Sequence, residues 1–449
     1  MASTYLTRTP SSAGNRKTFT ISAWFKKNPE GVQNIIYSNV SNESVYQFTT
    51  TGQINYYEYS GGYTSRLLTN ALLRDSSAWY HIVLAVDTTQ ATSSNRLKMY
   101  VNGEQVTSFS AATYPSQNFE SYNINNNSLQ TIGANNGNDG FSGSMSHFNF
   151  IDGTAYDASA FGSTDATTGE WKIKTFPSVT YGTNGFFILK DGNSVTDQSG
   201  NSNNFTVAGG ILNNTEDCPS NNFATWNASD RWLGNTAGNG DFLRNGNNYF
   251  RTTSDANVAL VRSSIGVASG KYYCELKVPQ IERTWVGICN QQVMTSSTTW
   301  WTQGNNNGVY YYLNGPTIYD SQGSSTSAFG TFTNNDILMI GIDMDNKALY
   351  IGKNGTWGNS GDPTSGASKT GSVNSALPAV NTAMTDYGEI FVMAGNTTAG
   401  ISQVEANFGN GVFKTTAVAS AGTNASGIGI FEYDVPTGYA ALSTKGLNL

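Results

Sequence analysis

The feature that most constrains this fold is a β-hairpin pattern that occurs twice in the chain. In the first copy, an apolar and β-branched run at 79–87 is followed by 96–103, where apolar and polar residues alternate up to an Asn-Gly turn pair. The second copy is the run 335–343, followed by 348–355, which also ends in Asn-Gly. Two such hairpins far apart in the sequence predict an antiparallel β fold built in two modules.

Length and composition favour the same fold class. A chain of 449 residues is too long for one hydrophobic core and fits two domains. Charged residues make up 12% of the chain, against about 25% in an average globular protein, while aromatic residues make up 12% and glycine occurs 48 times. Such a composition is typical of β-sheets joined by long polar loops, so we expect an all-β protein.

The distribution of charge excludes several classes of partner. The formal net charge is −7 and no basic block occurs, whereas nucleic acid requires a clustered cationic footprint. An anionic membrane surface is disfavoured for the same reason. The first eight residues lack the basic and then apolar order of a secretory signal, and no apolar run of about 18 residues occurs. We therefore expect no nucleic-acid partner, no membrane insertion and no export by the usual route.

Cysteine usage indicates a reducing compartment. Cys274 and Cys289 fall in apparent strands, and Cys218 has no spaced His or Cys partners for zinc. A Cys274–Cys289 disulfide is conceivable, but buried free thiols are favoured in a chain without a signal. Synthesis in a cytoplasm follows from this reading.

Five segments in the first 160 residues carry a family resemblance. They are 19–24, 79–82, 97–103, 132–133 and 141–145. In this order they resemble the laminin-G or concanavalin A-like lectin family. The resemblance implies a jelly-roll sandwich of two antiparallel sheets.

A second resemblance covers about 240–413. Its segments are 257–262, 270–278, 285–289, the repeated hairpin at 335–355, 377–380 and 404–409. Together they resemble the SPRY family, whose fold is also a bent two-sheet sandwich. The resemblance implies binding of partners through loops at one rim, without catalysis.

Two further segments resemble the connectors of tandem lectin-like proteins in tailed bacteriophages of marine and cyanobacterial hosts. They are 219–226 and 427–442. The fold class is therefore predicted as all-β, with two jelly-roll-like antiparallel β-sandwich domains in tandem and a short C-terminal extension. The predicted segments are a laminin-G-like domain at 1–215, a linker at 216–235, a SPRY-like domain at 236–413, and a tail at 414–449 that packs on its own domain or on a neighbouring subunit.

Catalytic machinery is not apparent in the sequence. The two histidines, His81 and His147, both fall on predicted strands, and neither a nucleophile elbow nor an orienting acid accompanies them. A glycosidase of the lectin fold needs two carboxyl groups, and Asp343 and Asp345 have one suitable spacing. Because Asp345-Asn346 also has the chemistry of a hairpin turn, we favour the turn and predict no enzymatic activity.

Two aromatic clusters are candidate carbohydrate sites. Sugar binding needs aromatic platforms for the apolar face of a pyranose and amides for its hydroxyl groups. The candidate residues are Tyr56, Tyr57, Tyr59 and Tyr63 in the first domain, and Trp300, Trp301, Asn305, Asn306, Tyr310 and Tyr312 in the second. The alternative is that these side chains are core or subunit contacts, since Tyr and Trp are also enriched at protein interfaces.

Calcium is the one cofactor that the first resemblance suggests, because some laminin-G-like domains hold an ion at the sandwich rim. Asp139, with Asp87 nearby if the topology holds, would supply oxygen ligands. The alternative is that the Asn/Gly loop around Asp139 simply turns, and then no cofactor is present.

The combined prediction is a non-enzymatic structural protein of a bacteriophage particle, as a fibre, tail-associated or head-decorating component. Its expected partners are other capsid, tail or fibre subunits and, through its rim loops, a host surface glycan. We expect it to be oligomeric in the particle, exposed on the virion surface, and made in the cytoplasm of a host bacterium. The alternatives are a polysaccharide-cleaving enzyme with a lectin-like fold and a cellular carbohydrate-binding adhesin.

Overall fold

The structure is a computed structural model that describes residues 4–28, 31–39, 41–190, 194–233, 242–252, 259–291, 293, 308–315, 317–320, 323–326, 331–373, 388–396 and 400–448. The chain divides into two compact units. Unit 1 comprises 1–214 and 218–220, and unit 2 comprises 215–217 and 221–449. Both are built from antiparallel sheets, and the described residues contain no α-helix. The predicted all-β fold class is confirmed.

Unit 1 is a sandwich of two sheets. Its strands are β1 (Tyr5–Arg8), β2 (Thr18–Lys27), β3 (Gln33–Asn39), β4 (Glu43–Phe48), β5 (Ile54–Tyr59), β6 (Tyr63–Thr69), β7 (Tyr80–Asp87), β8 (Leu97–Val101), β9 (Glu104–Gln105), β10 (Phe109–Thr113), β11 (Gln130–Ile132), β12 (Gly143–Asp152), β13 (Gly162–Thr164), β14 (Trp171–Ile173), β15 (Phe186–Ile188) and β16 (Thr206–Ala208). Sheet A has the order β10-β6-β5-β4-β3-β11-β1-β16, and sheet B has the order β15-β12-β2-β7-β8-β9. The short hairpin β13–β14 is separate from both.

The first predicted hairpin lies at the centre of sheet B. β7 pairs with β8, with Leu84 opposite Met99, and β2 pairs with the other edge of β7. Because side chains alternate between the faces of a strand, Phe19, Ile21 and Leu84 point from these strands into one buried apolar cluster. That cluster fills the space between the two sheets.

Unit 2 is a second sandwich. Its strands are β17 (Trp226–Leu233), β18 (Leu243–Arg244), β19 (Tyr249–Arg251), β20 (Ala259–Ser263), β21 (Lys271–Gln280), β22 (Thr284–Asn290), β23 (Gly308–Tyr312), β24 (Thr317–Asp320), β25 (Gly323–Thr326), β26 (Ile337–Asp343), β27 (Ala348–Lys353), β28 (Thr356–Trp357), β29 (Ile390–Asn396), β30 (Gln403–Asn407), β31 (Val412–Phe413), β32 (Thr416–Ala417) and β33 (Ala440–Ala441). Sheet C has the order β17-β20-β29-β22-β23-β24-β25, and sheet D has the order β18-β19-β30-β21-β26-β27-β28. The second predicted hairpin is β26–β27, with Ile340 opposite Ile351.

Within the segment predicted as a linker, residues 218–220 group with unit 1, and 216–217 and 221–233 group with unit 2. Residues 226–233 form β17, which pairs with β20 at one edge of sheet C. The remaining segment bounds predicted from the sequence stay predictions. Cys274 and Cys289 are buried free thiols, as expected.

The C-terminal tail, residues 414–448, packs on unit 2 itself. Phe431, Val435 and Tyr439 lie against the outer face of sheet D, in a cluster with Tyr273 and Met339. β33 adds to that sheet in parallel beside the start of β21. The tail therefore covers part of a sheet face that the sandwich core leaves open. Among the described residues, no helix has the length and hydropathy needed to cross a bilayer.

Candidate functional site

The first candidate site is a group of aromatic side chains on the outer face of sheet A. The sequence of β5 alternates, so Ile54, Tyr56 and Glu58 point into the sandwich. Tyr57 and Tyr59 point outward as a result. A register shift after Glu58 interrupts the pairing with β6, and the turn at Ser60–Gly62 closes the hairpin.

Three tyrosines and one arginine form this group, which we call the tyrosine patch: Tyr57, Tyr59, Tyr63 and Arg66. The ring of Tyr63 meets those of Tyr57 and Tyr59 edge to face, at centroid distances of 5.5 and 5.3 Å. The Arg66 guanidinium lies 4.5 Å from the Tyr63 ring centroid. Tyr59 is 37% exposed and Tyr63 is 45% exposed, so two rings present their surface to solvent. These contacts hold the rings in fixed orientations on a rigid sheet.

Tyr57 is anchored at the base of the patch. Its hydroxyl donates to Glu43 Oε2 at 3.3 Å, and it pairs with Arg66 across the β5–β6 ladder. Burial, and then the neighbouring Glu43 carboxylate, raise the pKa of Tyr57 well above its ordinary value. The hydroxyl therefore stays protonated and remains a hydrogen-bond donor at neutral pH.

Tyr56 does not belong to the surface, which corrects the sequence prediction for this residue. Its side chain is 1% exposed and packs edge to face on Tyr46. The Tyr56 hydroxyl donates to Glu58 Oε1 at 2.9 Å. The period of two along β5 places Tyr56 on the core face with Ile54, so no solvent ligand reaches it.

Glu58 has the burial of a functional acid but the contacts of a structural one. Burial raises its pKa. Oε1 accepts from Tyr56 and from Ser121 Oγ at 2.5 Å, and Oε2 accepts from Ser44 Oγ at 2.6 Å and from the Tyr122 amide at 3.1 Å. Four donors occupy both oxygens, so the carboxyl group fastens the segment at 121–122 to sheet A instead of facing a substrate.

The second predicted aromatic cluster is only partly described. Trp300, Trp301, Asn305 and Asn306 lie outside the described residues. Tyr310 is 2% exposed, within a cluster on the outer face of sheet C, so its predicted role at a surface is corrected. Tyr312 is half-buried and stacks on Trp285 at 4.9 Å.

His81 is a buried structural group, as the sequence suggested. Trp171 Nε1 donates to His81 Nδ1 at 3.0 Å, and His81 Nε2 lies 2.9 Å from Ser22 Oγ. Because Nδ1 must accept, the neutral ring carries its proton on Nε2 and donates to Ser22. A general base for a serine nucleophile requires the opposite tautomer. Burial lowers the pKa of His81 to about 3, so the ring stays neutral across the physiological range.

The structure separates the two predicted calcium ligands. Asp87 pairs with Thr18 at the first residue of β2, where its carboxylate accepts from Thr89 and Gln90. Asp139 lies in a loop, and its backbone carbonyl oxygen accepts a hydrogen bond from the Asn34 amide at 3.0 Å. The chain after that loop enters β12, whose first residue, Gly143, pairs with Lys27 at the opposite end of β2 from Thr18. The expected proximity is therefore corrected, and the described residues contain no group of three or more His, Cys, Asp or Glu side chains suited to a metal.

Arg66 is the part of the patch that sequence analysis missed. The sequence contained a signal for its position. Arg66 precedes the buried Leu67 on β6, so it lies on the outer face of the sheet, where it pairs with Tyr57 across the hairpin. Its contact with Tyr63, in contrast, depends on the register shift at Tyr59, which the sequence does not show.

Comparison with protein families supports a lectin-like fold for the first part of the chain. The model described as the concanavalin A-like lectin/glucanases superfamily matches residues 2–160. A comparison with curated proteins finds no match. Residues 2–160 are thus similar in sequence to this superfamily.

Comparison with solved structures returns sandwiches of several kinds. The SPRY domain of human HERC1 is 16% identical, with 40% of this chain and 96% of that chain covered and a TM-score of 0.28. The native heptameric SAP-like pentraxin from Limulus polyphemus is 12% identical, with 47% and 89% covered and a TM-score of 0.31. The CBM40 of the Ruminococcus gnavus IT-sialidase, bound to α2,6 sialyllactose, is 16% identical, with 32% and 89% covered and a TM-score of 0.23. Scores of this size carry no argument about function.

Proposed function

We propose that this chain is a non-enzymatic, lectin-like binding protein whose tyrosine patch contacts a glycan. The observation that carries the proposal is the pair of exposed rings, Tyr59 and Tyr63, held by mutual contacts and by Arg66 on an antiparallel sheet. The C–H groups on one face of a pyranose stack on such rings, while the sugar hydroxyl groups accept from a guanidinium or donate to a carboxylate. Arg66 and Glu43 supply both kinds of partner beside the rings.

Binding without catalysis is supported by the state of the buried titratable groups. The lone pairs of Glu58 are all occupied, and His81 has the wrong tautomer to activate Ser22. Each of these groups has instead a partner that fixes it in place. Glu58 and His81 therefore hold neighbouring segments on the sheets.

The setting that we propose is the surface of a bacteriophage particle, with other capsid, tail or fibre subunits as partners. The support is the sequence resemblance of 219–226 and 427–442 to connectors of tandem lectin-like phage proteins. In this proposal the chain is made in the cytoplasm of the host bacterium, is oligomeric in the particle, and contacts a host glycan after release. Electron microscopy of intact particles is expected to place the chain on the outer surface, and its absence from purified particles would contradict this setting.

The tyrosine patch is tested by removing its most exposed ring. Tyr63→Ala is expected to weaken binding to any glycan that the wild-type protein selects on a glycan array by about fivefold, because one stacked aromatic ring contributes about 1 kcal/mol beyond its buried area. The measurement is titration calorimetry with the selected glycan.

The matched control is Phe176→Ala. Phe176 is a 75% exposed ring of unit 1 that is not part of the patch, so its removal is expected to leave the affinity unchanged. Equal affinities for wild type and Tyr63→Ala would show that the patch does not bind the glycan.

A further inference from the structure

Unit 2 contains a cavity of about 420 Å³ where the C-terminal tail meets the start of β21. The size lies in the range of small-molecule sites. The cavity is lined by Gly270, Lys271, Tyr272, Asp345, Ala425, Ser426, Gly438, Tyr439, Ala440 and Gly446. Half of these residues are glycine or alanine, so a ligand would approach the backbone closely.

The strongest sign of a ligand is the hydroxyl group of Tyr272. This side chain is 6% exposed and lines the cavity, yet its hydroxyl makes no hydrogen bond with any described residue. A Cβ atom on Gly270 would come within 3.0 Å of that hydroxyl, so glycine leaves the hydroxyl its space. This hydroxyl faces the cavity and is available to a molecule there.

One charged side chain, Asp345, acts on this phenol, and a second, Lys271, lines the same cavity. Asp345 Oδ1 accepts from the Gly270 amide at 2.8 Å, which leaves Oδ2 for a ligand. Lys271 Nζ forms an ion pair with the buried Asp343 at 3.1 Å and lies 6.0 Å from the Tyr439 ring centroid. The ammonium retains further N–H donors after that pair is made.

These groups disfavour an anionic ligand. Lys271 is already balanced by Asp343, and the added Asp345 gives the three groups a formal charge of −1. A carboxylate acceptor, an ammonium donor and a phenol that can do either match the hydroxyl groups of a sugar ring.

We propose that this cavity is a second carbohydrate site of the chain, which takes one neutral sugar residue. The site is independent of the tyrosine patch in unit 1, because none of the patch residues lines it. Six of its ten lining residues belong to the tail, so the packing of the tail on sheet D creates the site. Tyr272, Asp345 and Lys271 offer hydrogen-bonding groups to the sugar hydroxyl groups, while the Tyr439 ring is buried behind the cavity wall.

The test measures binding of methyl glycosides to the full chain by saturation-transfer NMR and by titration. The four glycosides are those of glucose, galactose, mannose and N-acetylglucosamine. Tyr272→Phe removes only the unpartnered hydroxyl and is expected to weaken the best glycoside about three- to tenfold. Asp345→Asn keeps the acceptor for the Gly270 amide and is expected to have a similar effect. Ala425→Trp places a large ring at the exposed mouth of the cavity and is expected to abolish binding.

Matched controls separate this site from the tyrosine patch. Tyr350→Phe removes a phenol hydroxyl that contacts Ser365 outside the cavity, and Ser420→Trp adds a ring to an exposed tail position away from it, so both should bind as wild type does. Tyr63→Ala, which impairs the patch, should also leave cavity binding intact. Three outcomes would each overturn the proposal. The first is wild-type affinity in both Tyr272→Phe and Asp345→Asn, the second is no binding of any of the four glycosides, and the third is tighter binding of glucuronate or glucosamine.

Discussion

At the scale of single residues, buried carboxyl groups organise both units. Glu275 lies on β21 with no exposed surface and accepts from the Tyr273 hydroxyl and from Asn407. It also accepts at 2.8 Å from the backbone amides of Glu432 and Tyr433 in the tail. Glu58 makes the corresponding contacts in unit 1, with the segment at 121–122. In each unit one buried acid therefore fastens a crossing segment to a sheet.

The ionisation of Glu275 is expected to make stability depend on pH. Burial raises its pKa to about 7, from an ordinary value of 4.5. Between these two values the folded protein holds a proton that the unfolded chain has released. The stabilising contribution is therefore complete below pH 4.5 and is lost as the pH rises through about 7.

Glu275→Gln provides the measurement, because glutamine is neutral at every pH. The free energy of unfolding of the wild type, relative to that of the variant, is expected to increase by about 1–3 kcal/mol between about pH 8 and pH 5. Urea denaturation of both proteins at pH 5 and pH 8 measures this difference. The contributions of the other titrating groups are the same in both proteins and cancel. A difference that does not change with pH would contradict the assignment.

At the scale of elements, a hairpin covers the outer face of sheet B. Val83, Ala85 and Ile151 form an apolar cluster there with residues of the segment at 156–181. Trp171 of β14 lies between Gly103 and Gly162, where a Cβ on either glycine would come within 2.5 Å of the indole ring. The indole also donates a hydrogen bond to His81, so Trp171 is one of the contacts that hold the hairpin on the sheet.

Trp171→Ala is expected to release this cover. We expect a loss of about 2–4 kcal/mol in the free energy of unfolding, because the indole is partly exposed and the usual cost for a fully buried aromatic ring is about 3–5 kcal/mol. Hydrogen exchange of the amides of 156–173 should quicken more than that of β2 or β7. The exposed Phe176, in the same segment, should change stability by less than about 0.5 kcal/mol when replaced by alanine. Unchanged exchange in the cover would show that other contacts hold it.

At the scale of the whole molecule, each unit has its own apolar core. One cluster contains only residues of unit 2 and another only residues of unit 1. The two hairpins that the sequence repeats lie one in each core, at Leu84 and at Ile340. Each copy of the repeated hairpin pattern therefore belongs to a separate hydrophobic core.

Thiol chemistry tests the packing of the whole chain. Burial raises the pKa of Cys289 to about 12 and that of Cys274 higher still, whereas Cys218 is half-buried. Because the thiolate is the reactive form, the native protein is expected to react with an aromatic disulfide reagent at Cys218 alone. All three thiols should react after unfolding in urea. Rapid modification of Cys274 or Cys289 in the native state would show that one of the sandwiches opens readily.

The sequence by itself determined the fold class and the central hairpins. The apolar runs at 79–87 and 335–343, each followed by a strand that ends in Asn-Gly, are local patterns that predict antiparallel hairpins with buried side chains. Alternation along β5 also predicts that Tyr56 faces the core. Glu58 lies on the same face of the strand, however, and a charged residue there makes the apolar face hard to recognise from the sequence. Only the fold supplies the four donors that allow Glu58 to be buried.

The tertiary structure decided every feature that joins distant parts of the chain. The distance between Asp87 and Asp139 depends on the direction of β2, and the ring contacts of Tyr63 depend on a register shift. The cavity in unit 2 is lined both by Tyr272 and by tail residues that lie more than 150 positions later in the chain. Strand patterns follow from neighbouring residues, whereas a site is formed by side chains that meet only after the sheets have packed.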